Sequence, residues 1–250
     1  MTITHYLILI KNEKAMKKKY KLKRLVIVLL VSMVIINSCC YVAREYCWFC
    51  IPPGEGYAGY ELIIPVRLYP AKDTFRVGDT IYIESVFSDS VYDRSTGRKF
   101  LIEDMNWIIG SIIFPIHLDT KMATGYRNFQ VIVPEEYDFE PVIFSTGTIR
   151  YEGTYNYDGS IYSLKFQLIP RDTGIYYFIF SIDDHFFTKI EFKEKCSSAI
   201  VYVYATMNEG SDNNIHLFKE SPNEFFRVQM FNRPEEGFYK AGGYCFVVVE

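Results

Sequence analysis

Residues 148–169 read TIRYEGTYNYDGSIYSLKFQLI, and this stretch decides the fold class. Ile149, Tyr151 and Tyr155 to Tyr157 keep period two on the way in, and Tyr162, Leu164, Phe166 and Leu168 keep it on the way out. Side chains of a strand alternate between its two faces, so this period predicts extended chain with one face buried. Between the arms stands Asp158-Gly159, a pair suited to the type I′ turn, whose two central residues both need positive φ. The stretch predicts a β-hairpin.

The same period continues outward. Phe75 to Asp79 marks a turn, and Thr80 to Phe87 alternates, with Ile81, Ile83, Ser85 and Phe87 on one side and Tyr82, Glu84 and Val86 on the other. Ser88 to Gly97 reads as a polar loop. Strand-like runs follow at Trp107–Leu118, broken by Gly110 and Pro115, and at Phe129–Val133, Tyr177–Ile182, Phe186–Phe192, Ala199–Thr206 and Tyr244–Val249. Ser221-Pro222-Asn223-Glu224 has an N-cap residue, a proline for the first turn and a capping-box glutamate. It predicts a short helix over 222–230 that packs through Phe225, Phe226 and Met230. Aromatic residues make up 17% of the chain, with 21 Tyr and 20 Phe against 2 Trp, a bias that favours pleated surfaces. With 49% hydrophobic and 23% charged residues, the composition excludes a disordered chain, a coiled coil, a collagen-like chain and a polytopic membrane protein. No linker interrupts 60–250, so one elaborated β-domain is expected there.

Asp172, Gly174 and Tyr176 spell D-x-G-x-Y, which resembles the tyrosine corner of immunoglobulin-like sandwiches. Val77-Gly78-Asp79-Thr80 is similar to the step into a second strand of such domains. The resemblance implies a mainly β, immunoglobulin-like antiparallel sandwich in which the Tyr176 hydroxyl ties back to nearby backbone. The disulfide pin of antibody domains is absent, because no cysteine stands between Cys50 and Cys196.

The N-terminus reads as an address. Lys17, Lys18, Lys19, Lys21, Lys23 and Arg24 precede an apolar run, Leu25–Ile36, that is shorter than the roughly 20 residues of a membrane span. Asn37-Ser38-Cys39 follows. A small residue before a cysteine, after an apolar pair, resembles the lipobox of bacterial lipoproteins, which implies lipidation at Cys39 and removal of 1–38. The alternative is an uncleaved anchor helix, and Met16 offers a second start. Residues 39–59 form a tether. Residues 1–38 hold eight of the 27 basic residues and one of the 30 acidic residues, so cleavage leaves 19 against 29 and a net charge near −10. Such a body repels a phosphate backbone, and nucleic acid is excluded as a partner.

Candidate chemistry is sparse. Cys47-Trp48-Phe49-Cys50 has C-x-x-C spacing, but Pro52-Pro53-Gly54 prevents the helix start that would activate a thiolate, and no second pair completes a zinc site. A local disulfide at Cys47 and Cys50 is the simpler reading, and Cys196 and Cys245 can bridge only if their strands are neighbours. Gly54, Gly56 and Gly59 match G-x-G-x-x-G without the preceding strand and following helix that a dinucleotide needs. His117, His185 and His216 stand apart, no nucleophile motif is present, and no metal or cofactor is expected. The Asp89 and Asp93 loop fits no calcium-loop grammar. Tyr151, Tyr155, Tyr157 and Tyr162 admit two readings: a stacking platform for a glycan or partner protein, or cross-strand pairing that stabilises the hairpin, which is preferred.

The lipobox-like Ile36-Asn37-Ser38-Cys39, the Phe75–Thr80 step and the Asp172–Tyr176 corner together resemble the lipid-anchored β-sandwich proteins, without assigned activity, of Bacteroidota-type bacterial envelopes. The resemblance implies a cell-envelope address, periplasm-facing or surface-exposed. Three functions are weighed: a non-enzymatic binding or scaffold module, an envelope hydrolase acting on glycans through a carboxylate pair, and a single-pass anchored protein.

Overall fold

In a strand with one buried face, alternate residues must be apolar, and this determines how the chain assembles. A computed structural model describes residues 60–103, 105–182 and 201–250. In chain order the strands are β1 (Tyr60–Tyr69), β2 (Thr74–Arg76), β3 (Ile81–Ser88), β4 (Ser90–Asp93), β5 (Arg98–Leu101), β6 (Ile108–Pro115) and β7 (Phe129–Ile132). They continue with β8 (Phe139–Ile143), β9 (Ile149–Thr154), β10 (Asn156–Tyr157), β11 (Ile161–Pro170), β12 (Gly174–Ile182), β13 (Val201–Met207) and β14 (Gly243–Val249). The larger sheet runs β10-β11-β3-β1-β4-β5, with β13 beside β1 and β7 beside β11. The smaller runs β2-β14-β12-β6-β9-β8.

The fold is mainly β, with two sheets packed face to face. Tyr60, Leu62, Ile64, Val66 and Leu68 of β1, Ile81 and Ile83 of β3, and Tyr162, Leu164, Phe166 and Leu168 of β11 turn inward and are buried. Phe178, Phe180 and Phe246 of the smaller sheet are buried as well. Phe166 links the layers directly, with ring centroids 4.8 Å from Phe139 and 6.4 Å from Phe178. The sheets are not wholly antiparallel, since β1–β13 and β2–β14 pair in parallel.

The smaller sheet is buried on both faces at β12 and β14. Strand β12 does not alternate, because Tyr176, Phe178 and Phe180 enter the inter-sheet core while Tyr177 points outward. Residues 208–240 cover that outer face, packing Phe218, Phe226 and Phe238 against Tyr177 and Cys245. The predicted helix lies here as a wide π-type turn, Phe225–Met230. Ser221 Oγ accepts the Asn223 N–H (3.2 Å) and Asn223 Oδ1 accepts that of Phe225 (3.0 Å). The Glu224 capping box is not formed, because the Ser221 N–H that it would bind donates instead to the Phe218 carbonyl.

Two other expectations need correction. The hairpin is confined to β10 and β11, since the chain crosses from the smaller sheet to the larger at Tyr155 and β9 pairs with β6 and β8. Its turn centres on Gly159-Ser160, flanked by Asp158 and Ile161, and among these residues only Gly159 has positive φ. That is the type II′ signature. The Asp158 carboxylate shifts the register by accepting the N–H groups of Ser160 (3.0 Å) and Ile161 (2.8 Å). The supposed polar loop at Ser88–Gly97 contains β4, which pairs with β5 and β1. It hides from a pattern search because its inward residues are Val91 and a carboxylate, Asp93.

Candidate functional site

Among the described residues no segment covers the outer face of the larger sheet, and alternation determines which residues reach it. Ile63, Pro65, Arg67 and Tyr69 of β1, Tyr82, Glu84 and Val86 of β3, Tyr92 of β4, and Tyr202 and Tyr204 of β13 point outward. Register places them in rows across the strands. Tyr69 stands opposite Tyr82, Arg67 opposite Glu84, and Glu84 opposite Lys165 of β11. Tyr204 and Tyr92 flank Ile63 from either side.

The rows differ in chemistry. Tyr69 and Tyr82 stack with centroids 5.0 Å apart at 9°. Lys165 Nζ reaches Glu84 Oε1 at 2.8 Å, a hydrogen-bonded ion pair that raises the lysine pKa above its ordinary value. Tyr202 and Tyr204 lie parallel, 6.4 Å apart. Lys240 Nζ sits 4.7 Å above the Tyr204 ring and 3.8 Å from Glu61 Oε1. Partial burial raises the Tyr204 pKa, opposed by Lys240. Four tyrosines of this face, Tyr69, Tyr82, Tyr92 and Tyr202, are between 37% and 44% exposed.

The tyrosines singled out from the sequence lie elsewhere. Tyr155 and Tyr162 are buried at 7% and 0% exposure, so they offer no platform. The Tyr155 hydroxyl meets Ser85 Oγ at 2.8 Å, and that of Tyr162 accepts the Met105 N–H (2.7 Å) and donates to the Ile102 carbonyl (2.9 Å). Tyr157 stacks on Tyr162 at 4.4 Å, and partial desolvation with the adjacent Asp89 carboxylate pushes its pKa up to about 12. Tyr151 is half-buried against Tyr126 and Phe139, on the inner side of the smaller sheet. These four rings do not converge on a ligand. Tyr82 was not among the candidate site residues, although its alternation with Ile81 and Ile83 marks it in the sequence as outward-facing. Tyr92 is not so marked, because β4 was not visible as a strand.

At the corner, the Tyr176 hydroxyl is 3.2 Å from the Asp172 carbonyl and 3.3 Å from that of Thr173, and it accepts from Asn128 Nδ2 at 2.9 Å. Gly174, at φ 153°, lies under the His117 ring, which a Cβ would meet at 2.4 Å. His117 Nδ1 is 3.1 Å from the Ile175 N–H, which explains its place in an apolar run as a packed residue. Cys245 is a buried free thiol, and burial raises its pKa well above the ordinary value. Cys39, Cys47, Cys50, Cys196 and the signal or anchor segment lie outside the described residues.

Asp93 binds backbone. Its wholly buried carboxylate accepts the N–H groups of Glu61 (2.7 Å), Ser95 (3.2 Å) and Thr96 (3.1 Å), with the hydroxyls of Ser95 and Thr96. Among the described residues no group of three or more His, Cys, Asp or Glu side chains is placed to hold a metal. Clefts of about 680, 200 and 200 Å³ open on the described surface, with Glu236, Glu235 and Glu84 respectively in their linings.

No protein-family model matches this chain, and no curated protein matches it. Among solved structures, the chain is similar to the human F-spondin reeler domain, at 15% identity and a TM-score of 0.28 over 55% of this chain and 87% of that one. It is also similar to the second type II cohesin module of the adaptor ScaA scaffoldin of Acetivibrio cellulolyticus, at 10% identity and a TM-score of 0.29, covering 57% and 92%. Likeness of this extent leaves the chain to be read on its own geometry.

Proposed function

We propose that this chain is a non-catalytic binding or scaffold module of the bacterial cell envelope, anchored through its N-terminus by lipid at Cys39 or by an uncleaved helix. The bare face of the larger sheet is its binding surface. One observation carries the reading: an aromatic segment covers the outer side of the smaller sheet at Tyr177 and Cys245, while no described segment covers the larger sheet's face, where four tyrosines are exposed. Tyrosine combines a large apolar area with a polar tip, which suits a surface that must be soluble alone and sticky to a partner. The corner geometry at Tyr176 supports an immunoglobulin-like sandwich as its frame.

The test is retention of detergent-solubilised envelope components on the immobilised, detergent-solubilised chain, so that the N-terminal anchor contributes nothing, comparing the native protein with a Tyr82→Ser, Tyr92→Ser, Tyr202→Ser triple variant that retains native circular dichroism. Retention by the native chain and its loss in the variant are expected. Equal retention by both would refute the face assignment. Intact-mass analysis of the membrane-extracted protein distinguishes a diacylated Cys39 from an uncleaved N-terminus.

A further inference from the structure

We infer that the bare face carries, at its β13 edge, a subsite for one neutral pyranose unit of a glycan. This deepens the reading above and rests on it. The cleft there measures about 200 Å³, the scale of a single sugar ring, and its floor and wall include Ile63 and Tyr204. Arg94 and Lys240 enter it as cations, Glu235 as an anion, and Thr206 and Tyr239 as hydroxyls. Glu61, 3.8 Å from Lys240, supplies the second negative charge.

The balance of these groups selects the ligand. Two cations face two carboxylates, so a phosphate or uronate would gain Arg94 and Lys240 only by approaching Glu235 and Glu61. A cationic ligand meets the converse difficulty. A polyol has no such conflict, because each hydroxyl both donates and accepts and can satisfy guanidinium, ammonium, carboxylate and hydroxyl at once. Its apolar C–H face can rest on Ile63 and the edge of Tyr204, whose ring face Lys240 covers.

The neighbouring register extends the argument. Tyr92 faces Ile63 across the β1–β4 pair, as Tyr204 does across β1–β13. Adjacent strands lie about 4.8 Å apart, which sets the two tyrosines roughly 10 Å apart along a line across the strands. Tyr92 is 44% exposed and its ring stacks on no other aromatic ring among the described residues. A glycan running across the strands therefore places one unit in the cleft and a later unit on Tyr92.

The experiment is a binding titration of the detergent-solubilised full chain against neutral cello-, xylo-, manno- and chito-oligosaccharides, with uronic-acid oligomers in parallel. The variants are Arg94→Ala, Tyr92→Ser and, as a control on the other sheet, Ile143→Ser, whose side chain is 70% exposed. Binding of a neutral oligosaccharide that weakens roughly tenfold or more in Arg94→Ala and Tyr92→Ser, and is unchanged in Ile143→Ser, is expected. Preference for uronic-acid oligomers would overturn the charge argument. Absence of glycan binding, in a chain whose envelope retention still depends on Tyr82, Tyr92 and Tyr202, would overturn the sugar subsite and leave the face standing. Retention indifferent to those tyrosines would remove the face and the subsite together.

Discussion

Replacing Asp93 by asparagine tests how the N-terminal half of the larger sheet is held. The carboxylate joins β1 to the β4–β5 turn through three backbone N–H groups and two hydroxyls. Hydrogen bonds to a charged acceptor contribute about 1.5–3 kcal/mol each, against about 0.5–1.5 for neutral pairs. Asparagine keeps one acceptor oxygen, so the bonds from Glu61 and Ser95 survive as neutral ones, each weaker by about 1 kcal/mol. Its amide then turns a donor toward Thr96, whose bond is lost at about 1 kcal/mol more. The sum is roughly 3 kcal/mol, or about 6–12 °C in Tm for a body of this size.

The substitution also has a pH signature. Burial acts to raise the Asp93 pKa, but the hydrogen bonds from Thr96, Glu61 and Ser95 outweigh it and hold the pKa below the ordinary carboxylate value. With the native pKa depressed, the unfolded chain takes up the proton first. Stability from Asp93 is complete above its unfolded pKa of about 3.9 and is lost as pH falls through the native pKa. Urea unfolding of both proteins, followed by circular dichroism between pH 7 and pH 3, should show a gap of roughly 3 kcal/mol at neutral pH that narrows below about pH 4. A gap under about 1 kcal/mol at pH 7, or one independent of pH, would refute the claim that an ionised Asp93 holds this turn.

Other substitutions address other layers. Phe226 is fully buried among Phe114, Tyr177, Phe218 and Phe225, so Phe226→Ala should cost about 3–5 kcal/mol, with hydrogen exchange rising first in 208–240. Tyr176→Phe removes the acceptor of Asn128 and the donor to two carbonyls, and should cost about 1–2 kcal/mol in chemical denaturation without changing the fold. Peptide-level mass mapping should find Cys245 unmodified by a thiol reagent in the native protein and modified once urea unfolds it, since the thiol is buried and its pKa raised.

Legibility in the sequence followed the number of buried faces. β3 and β11 bury one face each, and their inward residues could be read from period two. β12 buries both, which erases the period and conceals that Tyr177 and Tyr176 serve different layers. The Tyr151–Tyr157 run kept its rhythm while changing sheets at Tyr155, because alternation reports a face and not the layer to which it belongs. The helical turn near 225 was readable from Ser221, but its wide winding was not, since that follows from packing Phe226 under Tyr177 and Phe238. The bare face was partly visible in Tyr82, Glu84 and Val86. Its rows were not, because Tyr92, Ile63 and Tyr204 become neighbours only through long-range register.

That register connects stability with function. Strand β13 joins β1 in parallel along Tyr60–Val66, and the Ala205–Ala241 bridge ties it to the segment that covers the opposite sheet. Gly242 makes the junction possible, because a Cβ there would meet the Phe180 carbonyl at 2.4 Å and the Ala205 side chain at 2.9 Å. The C-terminal segment thus has two roles in one passage of chain. Its aromatic part seals the smaller sheet, and its last turn delivers Glu235, Tyr239 and Lys240 to the edge of the larger one. A defect in the aromatic seal should consequently reach the cleft: Phe226→Ala, at temperatures where the sheets remain folded, should weaken ligand binding at Arg94 and Tyr204 while leaving the Tyr69–Tyr82 row undisturbed. Chemical-shift changes confined to 208–240 in that variant, with binding intact, would show that the seal and the cleft are mechanically separate.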